Sequence, residues 1–155
     1  MPALTRRDAL RRGGVALTVG LAGCTTASQQ SSQTPQLGEL DVLNYDPVPH
    51  TIHVVLLDAG EPVYWASADV SPAKNGELGG VEFVDLPTEP GEYVLHVRAD
   101  DQPKSEWETF DFGEYEVECL GIQIKIEHTN QNAGSDVSIW KTTNARVCEN
   151  TASSE

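Results

Sequence analysis

Cations are what this chain has least of. Ten Lys and Arg stand against 24 Asp and Glu in 155 residues, and only Lys74, Lys104, Lys125 and Lys141 are lysines. Four of the ten, Arg6, Arg7, Arg11 and Arg12, sit in the first dozen residues. Without residues 1–23, which hold those four Arg and one Asp, the formal charge moves from -14 to -17. Such a chain has no basic patch for phosphates, so nucleic-acid binding is excluded. Attraction to an anionic membrane surface is disfavoured as well, so a membrane hold must come from a lipid. A carboxylate-rich, lysine-poor surface stays hydrated in concentrated salt, and salt screens its self-repulsion. Other absences narrow the chemistry. The sequence has no G-x-S-x-G elbow, HExxH, P-loop, GxGxxG or D-x-[DN]-x-[DN]-G loop. It has no N-x-[ST] site, no internal repeat and, after the first two dozen residues, no 3.6-residue apolar period.

What is present begins at the N-terminus. Arg6-Arg7 opens a basic segment, a short apolar run covers residues 15–21, and Leu21-Ala22-Gly23-Cys24 closes it. Residues 13–23 are about half the ~20 needed to span a bilayer, and four glycines dilute them. Basic end, apolar run and small residues in this order make an export signal, residues 1–23, that is removed. The paired arginines before a weakly apolar run resemble a twin-arginine signal, although the general export route accepts similar segments. Leu21 to Cys24 resembles a lipobox, in which Cys24 becomes the lipidated first residue. After Cys24, residues 25–36 are Ser, Thr and Gln with one Ala, one Pro and no charge, so 24–36 is the lipidated Cys and a flexible tether. Residues 150–155 are expected to be a disordered tail.

Residues 37–149 suffice for one domain with its own core. Strand signals recur at short intervals: 40–43, 51–57, 63–66, 81–86, 93–97, around Phe110 and Phe112, 122–126 and 137–139. Turn chemistry separates them at 58–62, Pro90-Gly91 and 100–104. The stretch 51–57 is β-branched and apolar on both faces, as in a central strand. Seven or eight short strands at this spacing predict a single antiparallel β-sandwich, all-β, behind a cleaved signal helix.

The run Val84-Asp85-Leu86-Pro87 with Pro90-Gly91-Glu92-Tyr93-Val94-Leu95-His96-Val97 resembles the L-x-x-P-G-x-Y-x-L-x-V strand opening of immunoglobulin-like domains, shared by carboxypeptidase-regulatory-like sandwiches. With the lipobox, the acidity and Pro49-His50-Thr51-Ile52-His53-Val54, the chain resembles the small immunoglobulin-like lipoproteins of haloarchaea. The motif is structural and occurs under many functions, so it speaks to fold rather than activity.

Of three cysteines, Cys24 is assigned to lipid, which leaves an even pair for an oxidising compartment. The midpoint of 119 and 148 falls in the turn-rich stretch 130–135. A hairpin centred there puts Cys119 opposite Cys148 on adjacent strands, Ile124 beside Thr143 and Lys125 beside Thr142. Both cysteines then lie on the face away from Ile124 and Val137. A Cys119–Cys148 disulfide is expected.

Candidates for chemistry are few. His50 at the mouth of an apolar strand, with Cys119 and His128, would be the ligands of a cupredoxin-like copper electron carrier. The spacing opposes it, because His128 follows Cys119 by nine residues and the only Met is Met1. His50 and His53, three apart on a strand, face opposite ways, and His96 points outward. Asp100-Asp101 and the acidic run 114–118 are solvated carboxylates. Tyr64, Trp65, Trp107 and Trp140 are expected to pack in the sandwich, with Trp140 shielding the disulfide. No nucleophile has a base beside it. The expectation is a non-enzymatic, lipid-anchored module on the extracellular side of the cell membrane, with no metal or cofactor. It would bind a surface protein or glycan or act structurally, held to the membrane through Cys24.

Overall fold

The computed structural model describes residues 34–128 and 135–151. The signal helix, Arg6, Arg7, Cys24 and most of the tether lie outside the described residues, as do residues 152–155 of the tail. Eight strands form: β1 Gln36–Asn44, β2 His50–Asp58, β3 Glu61–Val70, β4 Gly79–Glu82, β5 Tyr93–Ala99, β6 Glu108–Asp111, β7 Cys119–His128 and β8 Ser135–Thr142. Single 3-10 turns at Lys104–Glu106 and Phe112–Glu114 flank β6, and a short helix, α1, spans Arg146–Thr151. One sheet has the order β4-β1-β7-β8 and the other β3-β2-β5-β6.

Period-2 alternation explains the strands. In β2, Ile52, Val54 and Leu56 are buried while Thr51, His53 and Val55 are half-buried, so β2 has one core face and one outer face, not two apolar ones. In β7, Leu120, Ile122, Ile124 and Ile126 turn into the same buried cluster as Leu95 and Val97 of β5 and Ile52, Val54 and Leu56 of β2. Each such buried aliphatic contributes roughly 1.5–3 kcal/mol of transfer free energy. The β2–β3 turn is Ala59-Gly60, both at positive φ (47° and 86°), matching the two-residue turn whose twist suits a hairpin. Tyr93 lies in the resemblance motif and opens β5. Its ring lies where a Cβ on Gly91 would be, 2.7 Å away, and its hydroxyl donates to the Glu89 carbonyl at 2.6 Å. A tyrosine bonding back to the chain a few residues upstream is the tyrosine corner of sandwich domains.

Four expectations need correction. The sandwich is not wholly antiparallel: β1 and β7 run parallel, a pairing made possible by the long connection through β2–β6. The β7–β8 register sets Ile124 opposite Ile139 rather than Thr143, four residues from the expected pairing. Cys148 therefore lies on no strand. The chain leaves β8 at Thr142 and α1 carries Cys148 back over the outer face of the sheet, where it bonds Cys119 with a Cα–Cα separation of 6.0 Å. Finally, α1 includes Asn150 and Thr151, assigned above to the tail. A six-residue helix is too short to print a period, which is why the sequence hid it. The approach of α1 depends on Gly38, beside the β1 register shift. A Cβ there would stand 2.7 Å from the Val147 carbonyl carbon and the Cys148 Sγ. At the other end the Pro35 carbonyl accepts from Gly91 N and Gln36 opens β1.

Acidity has a visible cost on the β4-β1 edge. Asp41 pairs directly with Glu82 across the strands, with Glu39 beside them. Burial raises the pKa of Glu39, and the charges of Asp41 and Glu82 raise it further. Burial also raises Asp41, with Glu82 adding and a hydrogen bond from Gln123 opposing. Like charges opposite one another cost roughly 0.2–1 kcal/mol. Glu82→Gln is expected to raise stability by about that amount in dilute buffer. The gain should shrink in molar salt, where the screening length is about 3 Å. Denaturant melts at both salt levels check it; a salt-independent gain would mean that repulsion is not the cause.

Candidate functional site

Two places on the domain gather chemistry-bearing side chains. The first is at one end of the sandwich, where the β1–β2 loop, the end of β5 and the start of β8 meet. Asn44, fully buried, donates to the carbonyls of Val48 (2.9 Å) and Ser71 (3.0 Å) and accepts from Asp46 N at 2.8 Å. This aims the Asp46 carboxylate inward, at 2 % exposure. Asp46 Oδ2 accepts from the Ser135 hydroxyl at 3.1 Å and stands 3.4 Å from both His50 Nε2 and His128 Nδ1. His50, 8 % exposed, sits between groups on both nitrogens. Nε2 is 2.9 Å from Ser135 Oγ, and Nδ1 is 2.7 Å from Asp100 Oδ2. Asp100 takes a left-handed backbone (φ 49°), which Asp tolerates better than most residues, and also accepts from Thr51 N at 2.9 Å. Burial pushes the pKa of Asp46 upward, but hydrogen bonds from Val48 N, Ser135, His128 and His50 outweigh it and hold it below the ordinary value. Asp100 is lowered in the same way: burial opposes, and the bonds from His50 and Thr51 N prevail.

Ser135, His50 and Asp100 thus connect in the order hydroxyl, imidazole, carboxylate. The sequence reading, which found no nucleophile with a base, missed this juxtaposition because the partners are 85 and 50 residues apart. The order matches a nucleophilic triad, with the Asp46 carboxylate as an added neighbour of the hydroxyl. The ionised Asp46 holds the Ser135 proton in its own hydrogen bond, and its charge opposes the oxyanion a nucleophilic serine must stabilise nearby. His50 is also nearly closed to solvent. The arrangement fastens three chain segments together.

The second place is the outer face of the β3-β2-β5-β6 sheet. Strand register brings Ser67, His53 and Arg98 into one cross-strand row, and Trp65, Val55, His96 and Thr109 into the next. The guanidinium of Arg98 lies over the Trp107 ring, 5.5 Å from its centroid, and the indole N–H of Trp107 donates to the Gln102 carbonyl at 3.2 Å. His53 Nδ1 meets Ser67 Oγ at 2.6 Å and His96 Nδ1 meets Thr109 Oγ1 at 2.9 Å. Between the two tryptophans lies a shallow depression of about 300 Å³. Trp65 is 73 % exposed and Trp140, on the opposite sheet, 58 %, so neither packs in the sandwich as expected. Strand parity turns both outward. Trp140 does not shield the disulfide; Lys125 stacks on it, 3.7 Å from the ring centroid, and α1 crosses the disulfide's face instead.

The other candidates fall apart in space. Cys119 is bonded to Cys148, and β7 separates it from His128 by nearly its whole length, about 30 Å at ~3.3 Å per residue. The copper set His50, Cys119 and His128 is therefore not assembled. Among the described residues no cluster of three or more His, Cys, Asp or Glu side chains is arranged to hold a metal ion. No helix among them is long and apolar enough to cross a membrane. No protein-family model matches the chain, and no curated protein matches it.

Proposed function

We propose that this chain is an exported, lipid-anchored β-sandwich that works as a binding module on the outer side of the cell membrane, without catalysis. The observation that carries this reading is the outer face of the β3-β2-β5-β6 sheet. An indole with most of its surface in water, beside a second indole and convergent polar groups, is costly to maintain on a soluble domain unless something covers it. The β-sandwich belongs, on this reading, to the immunoglobulin-like class in the broad sense. Immunoglobulin constant domains keep the first two strands in one sheet. Here β1 and β2 lie in different sheets, a departure from that order. Residues 1–23 are the signal, by the twin-arginine route through Arg6 and Arg7. Lipid on Cys24 holds the domain, and the acidic, lysine-poor surface suits concentrated salt.

Two experiments bear on this. Cys24→Ser is expected to move the protein from the membrane fraction to the soluble fraction with its thermal transition unchanged, because the charge-free tether has nothing with which to build a core. A variant that still sediments with membranes would remove the lipid from the account. The wild-type chain, immobilised at molar salt, is expected to retain a component of isolated cell envelopes that Trp65→Ala loses by roughly tenfold, the loss typical of an exposed aromatic anchor. Equal retention by the two proteins would place the binding surface elsewhere.

A further inference from the structure

Lys and Arg number only six outside residues 1–23, against 23 carboxylate side chains. Among the described residues the ion pairs all involve histidine, and Arg98, like the other Lys and Arg side chains there, enters none of them. It is held over Trp107, with His53 directly opposite on β2 and His96 two residues along β5 on the same face. Both imidazoles have Nδ1 engaged by a hydroxyl, which fixes each ring and leaves Nε2 as a further polar atom. The depression therefore presents two indole planes, one unpaired guanidinium and two oriented imidazoles, on a chain that is otherwise strongly anionic.

We infer that this face binds an acidic saccharide whose charges are sparse, such as a chain with one uronate per two sugars. The inference deepens the binding-module reading and rests on it. Flat apolar pyranose faces stack on exposed indoles, and hydroxyls bond imidazole and serine side chains. A uronate carboxylate matches the guanidinium as a two-pronged partner. The whole-chain charge sets the upper limit on ligand charge. A densely sulfated polymer or a nucleic acid brings many like charges near a surface of about -17 and is repelled, whereas an isolated carboxylate gains the Arg98 contact with little of that repulsion. Cross-strand register sets the spacing: Arg98 and Trp65 sit in adjacent rows, two strands apart, a backbone distance of about 12 Å. That is about the length of a disaccharide.

The test uses the full-length chain in detergent and two probes of equal length, a hyaluronan hexasaccharide and neutral chitohexaose, read by tryptophan fluorescence and calorimetry. Hyaluronan is expected to bind roughly tenfold more tightly than chitohexaose. Arg98→Gln should remove that preference, and Trp65→Ala should weaken both probes, each variant keeping the wild-type melting temperature. Equal affinity for the two probes would overturn the acidic preference while leaving the face as a saccharide site. Binding of neither would overturn the saccharide class. In that case loss of envelope retention by Trp65→Ala would keep the broader binding reading alive, and unchanged retention would end that as well.

Discussion

Asp46→Ala is expected to cost about 3–5 kcal/mol of folding free energy, a large part of the 5–15 kcal/mol that holds an average domain together. The substitution removes one buried carboxylate, and four groups lose their acceptor at once: Val48 N, the Ser135 hydroxyl, and the imidazoles of His50 and His128. A buried donor left unsatisfied costs about 1–3 kcal/mol, which applies to His50 rather than to the exposed His128 and Val48. The effect carries a pH signature. Asp46 and Asp100 are both depressed in the folded state, so the stability they supply is complete above the unfolded value near 3.9. It drains away as pH falls through their lower folded values. Glu39 and Asp41 are raised, so protonating them as pH drops toward 4 relieves folding rather than harming it. Wild type should therefore hold its stability to about pH 4 and lose it below. In Asp46→Ala that acid limb should be shallower, since only Asp100 remains to produce it. Guanidinium melts from pH 7 to pH 2.5 measure both terms. A cost under about 1 kcal/mol at pH 7, or an unchanged acid limb, would show that the end network is ornamental to folding.

Breaking the Cys119–Cys148 bond, by reduction or by the Cys119→Ser, Cys148→Ser pair, is expected to lower stability by about 3–4 kcal/mol. The chain-entropy model assigns about that to a closed loop of this size, whose ends are 29 residues apart. For a domain of this length that is roughly 12–16 °C in Tm. The sandwich should survive, because the core strands β2 and β5 lie outside the loop and their partners in the core are aliphatic. The local loss should be larger. α1 is six residues long and cannot persist on propensity alone. Without its covalent tie it should fray from Gly38 and the outer face of β7. Hydrogen exchange would then rise at residues 146–151 while β7 stays protected. A variant that unfolds outright would give the disulfide a role in forming the sandwich that its position does not imply.

Much of the fold could be read from the residues because strands report themselves locally. Ile122, Ile124 and Ile126 alternate with polar neighbours, Tyr93, Leu95 and Val97 alternate with Val94, His96 and Arg98, and each set became a strand with its apolar face inward. The disulfide partners were legible for a less secure reason. Parity and compartment named the right pair, but the route assumed one unbroken hairpin. The four-residue offset of the real register and the turn into α1 cancelled as far as bringing the sulfurs together is concerned. The outward-facing tryptophans were legible in principle from strand parity, which puts Trp65 with Ser67 and opposite to Ala66.

By itself the sequence determined the periodicities, the export and lipid signals as expectations, the charge balance and the cysteine count, since all of these are sums or short-range patterns along the chain. Only the tertiary structure decided which distant residues meet. Asp46, His50, Asp100 and Ser135 come from three segments. The row of Ser67, His53 and Arg98 comes from three strands whose order in the sheet no local pattern encodes. Period-2 alternation says which face a side chain takes but not which strand lies beside it, because any apolar face can be buried by any other. Neighbours are chosen by the collective closure of the core. That is why the parallel pairing of β1 with β7, and the two sites that depend on such neighbours, became visible only in three dimensions.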